Sequence, residues 1–392
     1  MTQDEFGLYG YIVAIIGTFS LAFNLGIYTA QSKLYHEYTD KEKRGVMLST
    51  LNLMLLGFMV LLCATILVTK IDYTIIGFLF KNPFDYNKYR STIFIAVVVS
   101  VYSLMLVNFF LTSEDLRKVQ IFNICRVILI NIVVLAALWM NRSGDAAFIR
   151  LQYSNIIELL IVAVFILFYI SKMKMGFDKT VAIKALKIGL PILASAVLGI
   201  FINLSDRYFL EKSGSLRDLS IYNTALSVAG VVPFVFASFQ NIWLPQFLKE
   251  RDLQTNRNRS KKMVVRLLLL LLSISVIIFI ALKLMLVINI IDKKYDDVLP
   301  LLPIVLITSI VTSLTTMFSN HLVYLDKLSL IIFTGVPIAV LSIILNSTLV
   351  PAFNVYGAAF STLALNTCYL ISYALLSQHF YNKKLTNLTS AG

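Results

Sequence analysis

The chain has 392 residues, of which 58% are hydrophobic and only 14% charged, and it carries a net charge of +13. Soluble domains are about a quarter charged, so this composition excludes a soluble globular enzyme, while the short alternating strands of a membrane β-barrel are missing. The positive charge does not mark a nucleic-acid partner, because the basic runs border apolar stretches on one face, where orienting charge and anionic lipid headgroups account for them.

Runs of about 20 apolar residues, the length that crosses roughly 30 Å of hydrocarbon as a helix, recur along the whole sequence. In chain order they fall at about 8–29, 46–69, 91–112, 119–140, 151–171, 187–206, 220–243, 263–288, 299–320, 329–349 and 356–378. The expected fold class is therefore all-α: a polytopic membrane protein with about 11 transmembrane helices in two pseudo-repeated bundles, five plus six, around a central cleft. The expected division is a bundle over 1–171, a basic cytoplasmic linker over 172–187 and a second bundle over 188–392.

Lys and Arg fall preferentially on alternate loops. One loop holds Lys172, Lys174, Lys179, Lys184 and Lys187, and another holds Lys249, Arg251, Arg257, Arg259, Lys261 and Lys262. The positive-inside rule places these loops in the cytoplasm. The amino-terminal stub with Asp4 and Glu5 then lies outside and the tail with Lys383 and Lys384 inside. Cys63, Cys125 and Cys368 all sit within spans without CxxC or metal spacing, so neither a disulfide framework nor a metal site is expected, and no cofactor. His36, His321 and His379 show no metal spacing and are expected near the interfaces.

A short internal repeat relates the two halves. Glu5-Phe-Gly-Leu-Tyr9 aligns with Asp218-Leu-Ser-Ile-Tyr222, each an acidic turn leading into a tyrosine and then a span. In the second copy a complete span, Ile188 to Asp206, precedes the turn; the first copy has no counterpart, so a first helix ahead of Thr2 is expected to be absent. Halves repeated in this way are typical of transporters with a substrate path between them.

Three segments carry a family resemblance in order and spacing: Thr2-Gln-Asp-Glu-Phe-Gly-Leu-Tyr-Gly10; Asn203-Leu-Ser-Asp-Arg-Tyr-Phe209 with Ile221-Tyr-Asn-Thr-Ala225; and Leu345-Asn-Ser-Thr-Leu-Val-Pro351 with Tyr356-Gly-Ala-Ala-Phe360. Over nearly the whole chain they resemble the polysaccharide-biosynthesis flippases, the Wzx-type O-antigen translocases related to multidrug and toxin extrusion (MATE) transporters and lipid II flippases. That family has twelve helices in two six-helix lobes, from which this chain departs by its missing first helix.

The resemblance implies a bacterial inner-membrane protein, periplasmic at its amino end and cytoplasmic at its carboxyl end. It would move undecaprenyl-pyrophosphate-linked oligosaccharide between leaflets by alternating access, with O-antigen polymerase and chain-length regulator as partners beside membrane lipids. No bond is broken in such a reaction, so the chain is not expected to be an enzyme.

Charges within spans are costly in hydrocarbon and must find a partner, water or ligand, which makes them the functional candidates. Arg126 is a candidate phosphate ligand or an interhelical pair, and Glu158 is a candidate partner for a cation or a site of ion coupling. Asp206 and Arg207, adjacent at a helix end, either fix helix position or act at an external gate. Arg90, Lys70 and Arg207 lie where they could receive pyrophosphate on the outer side, or serve as interfacial basics. Asn24 and Asn203 head a series of span asparagines that line a sugar path or make interhelical hydrogen bonds. Two other classes compete with a flippase. A polysaccharide polymerase or glycosyltransferase would need a large external segment, and the longest external loop, about 70–90, offers little room. A MATE-like cation exporter would want acidic residues deep in the cleft, where this chain offers mainly Glu158 and several basics.

Overall fold

The computed structural model describes residues 1–390 apart from Pro83, Arg142, Ser143, Arg251, Ile291 and Asp326; Arg251 of the second basic run thus lies outside the described residues. Contacts divide the chain into two compact units, Met1–Leu204 and Ser205–Gly392.

The first unit contains α1 (Gln3–Phe23), α2 (Ile27–Glu37), α3 (Lys41–Thr69), α4 (Ile71–Leu79), α5 (Tyr86–Thr112), α6 (Leu116–Met140), α7 (Ala146–Ile170) and most of α8 (Lys179–Ser213). The second contains the end of α8 with α9 (Leu216–Ala229), α10 (Val231–Lys249), α11 (Leu253–Val287), α12 (Val298–Tyr324) and α13 (Leu328–Ser390). Among the described residues, ten helical stretches are long and apolar enough to cross a membrane, α9 and α10 together forming one of them. The protein is multi-pass. The expected linker 172–187 is a turn that runs directly into the first turns of α8.

The acidic repeat has a local cause. Thr2 and Glu5 close a capping box at the start of α1, and Ser215 and Asp218 close another at the start of α9. Each pair satisfies amide donors that the first helical turn leaves open.

Two segments of the first unit depart from the expected pattern. The stretch expected at 8–29 breaks at 24–26, where Leu25 (φ 54°) and Gly26 (φ 67°) adopt the left-handed conformation. Asn24 secures the break: its Oδ1 accepts from the Tyr28 amide at 2.9 Å, and its Nδ2 donates to the Val101 carbonyl at 3.4 Å. Gly189 of α8 packs directly on this corner; a Cβ on Gly26 would stand 2.7 Å from the Gly189 carbonyl oxygen, and one on Gly189 2.3 Å from that of Leu25. The second departure is the segment read as the loop 70–90, which holds the short helix α4 and the start of α5.

At 63 residues, α13 would run about 95 Å as a straight helix, some three times the hydrocarbon thickness. It folds instead at Asn354 (φ 49°, ψ −124°), and the Tyr373 hydroxyl donates back to the Ile331 carbonyl at 3.4 Å, so its arms run antiparallel. These arms carry the spans expected at 329–349 and 356–378, so this one helical stretch corresponds to two of the eleven expected spans.

Side-chain packing within the first unit centres on Phe109, Phe110, Phe122, Phe165 and Tyr169, whose rings meet edge to face across α5, α6 and α7; the Phe109–Tyr169 and Phe122–Phe165 centroids are 4.8 and 5.1 Å apart. The outer face of α3 is the reverse of a soluble surface, with Val60, Leu61 and Val68 between 61% and 83% exposed. In a membrane these side chains meet lipid tails and need no protein partner.

Loops expected on one side gather at one end of the first unit. Lys88 pairs with Asp145 at 2.9 Å, and Glu5 Oε1 accepts from the Ala146 amide at 3.0 Å. At its other end Lys174 meets Glu42 at 2.8 Å and Lys184 meets Glu37 at 3.4 Å. In the second unit Arg217 pairs with Asp297 at 2.7 Å at one end, while Arg259 meets Glu250 at 3.0 Å at the other.

Gly357 tests the turn in α13. A Cβ there would lie 2.1 Å from the Leu349 carbonyl oxygen, whereas one on Gly17 meets nothing within 4 Å. Gly357→Ala is expected to destabilise the protein by about 1–3 kcal/mol as overpacking does. Gly17→Ala should be neutral or stabilising by up to about 1 kcal/mol. Thermal unfolding of the purified variants in detergent distinguishes them, and equal midpoints would refute the close approach.

Candidate functional site

The first polar centre lies at mid-depth. Arg126 is about 15 Å from the start of α6 and Glu158 about 18 Å from the start of the antiparallel α7, at 1.5 Å per residue. Because each helix is about 36 Å long, these heights coincide. Arg126 Nη2 stands 2.8 Å from Glu158 Oε1, and the Ser103 hydroxyl of α5 donates to the same oxygen at 2.8 Å. The two partners differ in exposure: the Glu158 side chain is 10% exposed and that of Arg126 is 42%. A buried, doubly bonded carboxylate thus holds a guanidinium whose other donors remain open. Arg126 belongs to the protein-facing stripe of α6 with Phe122, Val134 and Ala137, flanked by exposed Val127 and Ile128.

A second centre lies at the end of the first unit that carries Asp145. Arg90 donates through Nε to Asp72 Oδ2 at 2.6 Å and through Nη2 to Oδ1 at 3.3 Å. Tyr86 adds a hydroxyl donor to Oδ2 at 2.8 Å. Burial pushes the Asp72 carboxyl up, but the hydrogen bonds from Arg90 and Tyr86 outweigh it and hold the group below its ordinary range. Asp72 was not singled out from the sequence, since an acid 18 positions before its arginine partner leaves no periodic signal; the stretch Ile71-Asp72-Tyr73, starting a short helix, is its only trace. Lys70, in contrast, is exposed and takes the left-handed conformation (φ 53°) between α3 and α4.

In the second unit Asp206 and Arg207 join three helices. Asp206 Oδ2 accepts from the Tyr222 hydroxyl at 2.7 Å and the Thr362 hydroxyl at 3.4 Å. Its Oδ1 accepts from the Arg207 amide at 2.7 Å, with the Arg207 guanidinium 3.8 Å away. Arg207 Nε also donates to Asn223 Oδ1 at 3.0 Å. Of the eight sequence-level candidates, Arg126 pairs with Glu158 and Asp206 with Arg207, whereas Arg90 pairs with Asp72. Asn24 is occupied by the α1–α2 break, and Asn203 is exposed on α8. Tyr222, Thr362 and Ser103 escaped the sequence reading because a hydroxyl among apolar residues most often bonds its own helix.

Among the described residues, no group of three or more His, Cys, Asp and Glu side chains is placed to hold a metal ion. What the centres offer is fixed cations: a half-open arginine at mid-depth and two arginines tied to carboxylates.

The sequence matches the family described as polysaccharide biosynthesis protein over residues 1–250. No curated protein matches it. Solved structures do, at low identity. The lipid II flippase MurJ in an inward closed conformation is 15% identical, with a TM-score of 0.72 over 96% of this chain and 83% of its own. An inward-facing multidrug resistance MATE family transporter of the MOP superfamily is 12% identical, with a TM-score of 0.68 over 97% of this chain and 94% of its own. A MATE transporter in its bent conformation is 14% identical, with a TM-score of 0.61 over 100% of this chain and 90% of its own. At such identities the likeness is one of fold.

Two outcomes follow from the ion pairs. Arg126→Ala strands the Glu158 carboxylate and should cost about 1–3 kcal/mol, while Arg126→Ala with Glu158→Gln should recover part of that loss in thermal unfolding; a double variant no better than the single one contradicts the pairing. Asp72, whose carboxyl is depressed in the folded state, contributes stability that is fully present above its unfolded value near about 3.9 and is lost as pH falls through its lower folded value. Asp72→Asn should therefore flatten the acid-side fall of the unfolding temperature, and parallel curves would rule out this contribution.

Proposed function

Since this chain belongs to the polysaccharide biosynthesis protein family, we propose that it is a flippase. It carries undecaprenyl-pyrophosphate-linked O-antigen or related polysaccharide repeat units from the cytoplasmic to the periplasmic leaflet by alternating access. The family match over residues 1–250 carries this reading, and the fold shared with a lipid II flippase and with MATE transporters supports it. On it, the protein resides in a bacterial inner membrane with its amino end periplasmic and its carboxyl end cytoplasmic, and residues 1–171 and 188–392 act as two lobes joined by 172–187. O-antigen polymerase and chain-length regulator are its partners downstream.

The physical task is to bring a pyrophosphate through hydrocarbon while its lipid tail stays in the bilayer. Arg126 is suited to that task. Glu158, itself held by the Ser103 hydroxyl, fixes one edge of its guanidinium, which lowers the entropy lost on binding, and the half-open remainder offers planar donors for a phosphate oxygen pair. Arg90, Lys70 and Arg207 receive the pyrophosphate on the far side, and Asn203 contributes to the sugar path. Transport then consists of sequential electrostatic contacts with no covalent step.

A cation exporter is less well served by the same geometry. Of the buried carboxylates, Asp72, Glu158 and Asp206 each have an arginine neighbour within 4 Å, so these three offer no uncompensated charge to a cation, while Glu211, also buried, lies outside these centres.

The deciding experiment is complementation of a flippase-null strain, scored by surface polysaccharide. The wild-type chain should restore it. Arg126→Ala should reduce it at least about tenfold at equal protein level, and Arg126→Lys should restore it only in part because the planar fork is lost. Failure of the wild-type chain beside a functioning control flippase would defeat the assignment, and full activity of Arg126→Ala would defeat the role of Arg126.

A further inference from the structure

The second unit holds a cavity unrelated to the centres above. The first turns of α11, the end of α12 and the second arm of α13 border a half-open cavity of about 450 Å³. Arg257 and Lys261 stand at its mouth, one turn apart on the same face of α11. Unlike Arg259, which is tied to Glu250, neither forms an ion pair with a described residue. No acidic side chain is present among the described lining residues. The mouth therefore holds two cations without local compensation.

Deeper in the cavity lies His321, only 4% exposed. Its Nε2 is 2.5 Å from the Ser260 hydroxyl and its Nδ1 is 3.1 Å from the Ser377 hydroxyl. Both serines are themselves buried. A neutral imidazole donates through one nitrogen and accepts through the other. One serine therefore gives its proton to the ring, while the other accepts from the ring and keeps its own proton to donate. Elsewhere in these helices hydroxyls bond the carbonyl four residues back, as Ser273, Ser275 and Thr308 do. Ser260 and Ser377 bond His321 instead, which leaves one hydroxyl proton free of the imidazole in the lining shared with the two cations.

Gln378 and Tyr381 complete the polar lining, the Tyr381 hydroxyl donating to Asn256 Oδ1 at 2.6 Å, and the rest is apolar. Val264 and Val265 lie about 10–12 Å farther along α11 than Arg257, and Phe318 and Ala374 face the same space. Arg257 and Lys261 precede the uninterrupted apolar run that starts at Leu267, which sets them at the membrane boundary. Along α11 the lining passes from Arg257, Ser260 and Lys261 to Val264 and Val265, from cationic and hydroxyl-bearing to apolar. That is the order of groups in a phospholipid from its phosphate through its glycerol esters to its acyl chains. A soluble phosphate would match the mouth but leave the apolar wall uncovered.

We propose that this pocket binds the phosphate headgroup of an anionic membrane phospholipid. Arg257 and Lys261 hold the phosphate oxygens, a hydroxyl of Ser260 or Ser377 donates to an ester oxygen, and the first acyl carbons lie along Val264 and Phe318. The site ties the corner formed by α11, α12 and α13 to one leaflet. It stands independently of the transport activity.

The test is native mass spectrometry of the full-length protein titrated with dioleoylphosphatidylglycerol, with dioleoylphosphatidylcholine and sodium phosphate as separate arms. Wild type should retain phosphatidylglycerol and prefer it over phosphatidylcholine, with sodium phosphate failing to displace it at matched concentration. Arg257→Gln with Lys261→Gln should weaken it at least about tenfold. Lys262→Gln with Arg266→Gln, the same change in charge on the exposed side of α11, should leave it unaltered. Equal losses in the two double variants would overturn the pocket in favour of diffuse surface attraction, and displacement by sodium phosphate would overturn the lipid assignment. Ser377→Ala, a milder change, should weaken binding severalfold; should the double variant not fold, undiminished binding by Ser377→Ala overturns the proposal.

Discussion

Hydrocarbon offers neither hydrogen bonds nor counter-charges, and any polar group carried into it has to be answered by the protein itself. The polar architecture of this chain follows from that constraint. Glu158 is answered by Arg126 and Ser103, and Asp206 by Tyr222, Thr362 and Arg207. Serine and threonine hydroxyls turn back to carbonyls of their own helices. The same rule shapes the backbone. Where α1 and α2 part, Asn24 supplies the bonds that the broken ladder gives up, and the helix resumes within a few residues.

The constraint also separates groups that only hold the structure from groups with capacity to spare. Asp206 spends both oxygens inside the protein, which suits a clamp between helices. Arg126 meets one carboxylate and leaves much of its guanidinium open. An ion pair that is asymmetric in this way keeps the structural cost of a mid-depth charge low while retaining a cation for a visiting anion. In a family concerned with polysaccharide assembly, that asymmetry is what makes Arg126 more informative than the better-buried charges around it.

Much of the fold was legible in the sequence because a spanning helix leaves a signal about 20 residues long that little else imitates. The acidic repeat was legible for a different reason: Thr2 with Glu5 and Ser215 with Asp218 are short-range capping boxes, complete within four residues. The break at 24–26 was not visible, since it is stabilised by Val101 and by the close approach of Gly189, both remote in sequence. Helix α4 was missed because nine residues are too few for a spanning signal. For the site, depth alone identified Arg126 and Glu158 as candidates, and their pairing followed only from the antiparallel placement of α6 and α7. Asp72 and His321 illustrate the converse: their partners come from other helices, and nothing local announces them.

The turn of α13 at Asn354 has a consequence for how the chain reaches the bilayer. No Asp, Glu, Lys or Arg occurs between Lys327 and Lys383, so both arms and the turn between them are uncharged. The segment carries no ionised Asp, Glu, Lys or Arg into hydrocarbon, and because its arms run antiparallel the lysines at its two ends lie at the same end of the hairpin. The arms are thus suited to partition into lipid together as a helical hairpin, their sidedness set by the lysines that flank the pair and not by a charge balance across each arm. The backbone reversal at Asn354 thereby makes the two arms one uncharged unit.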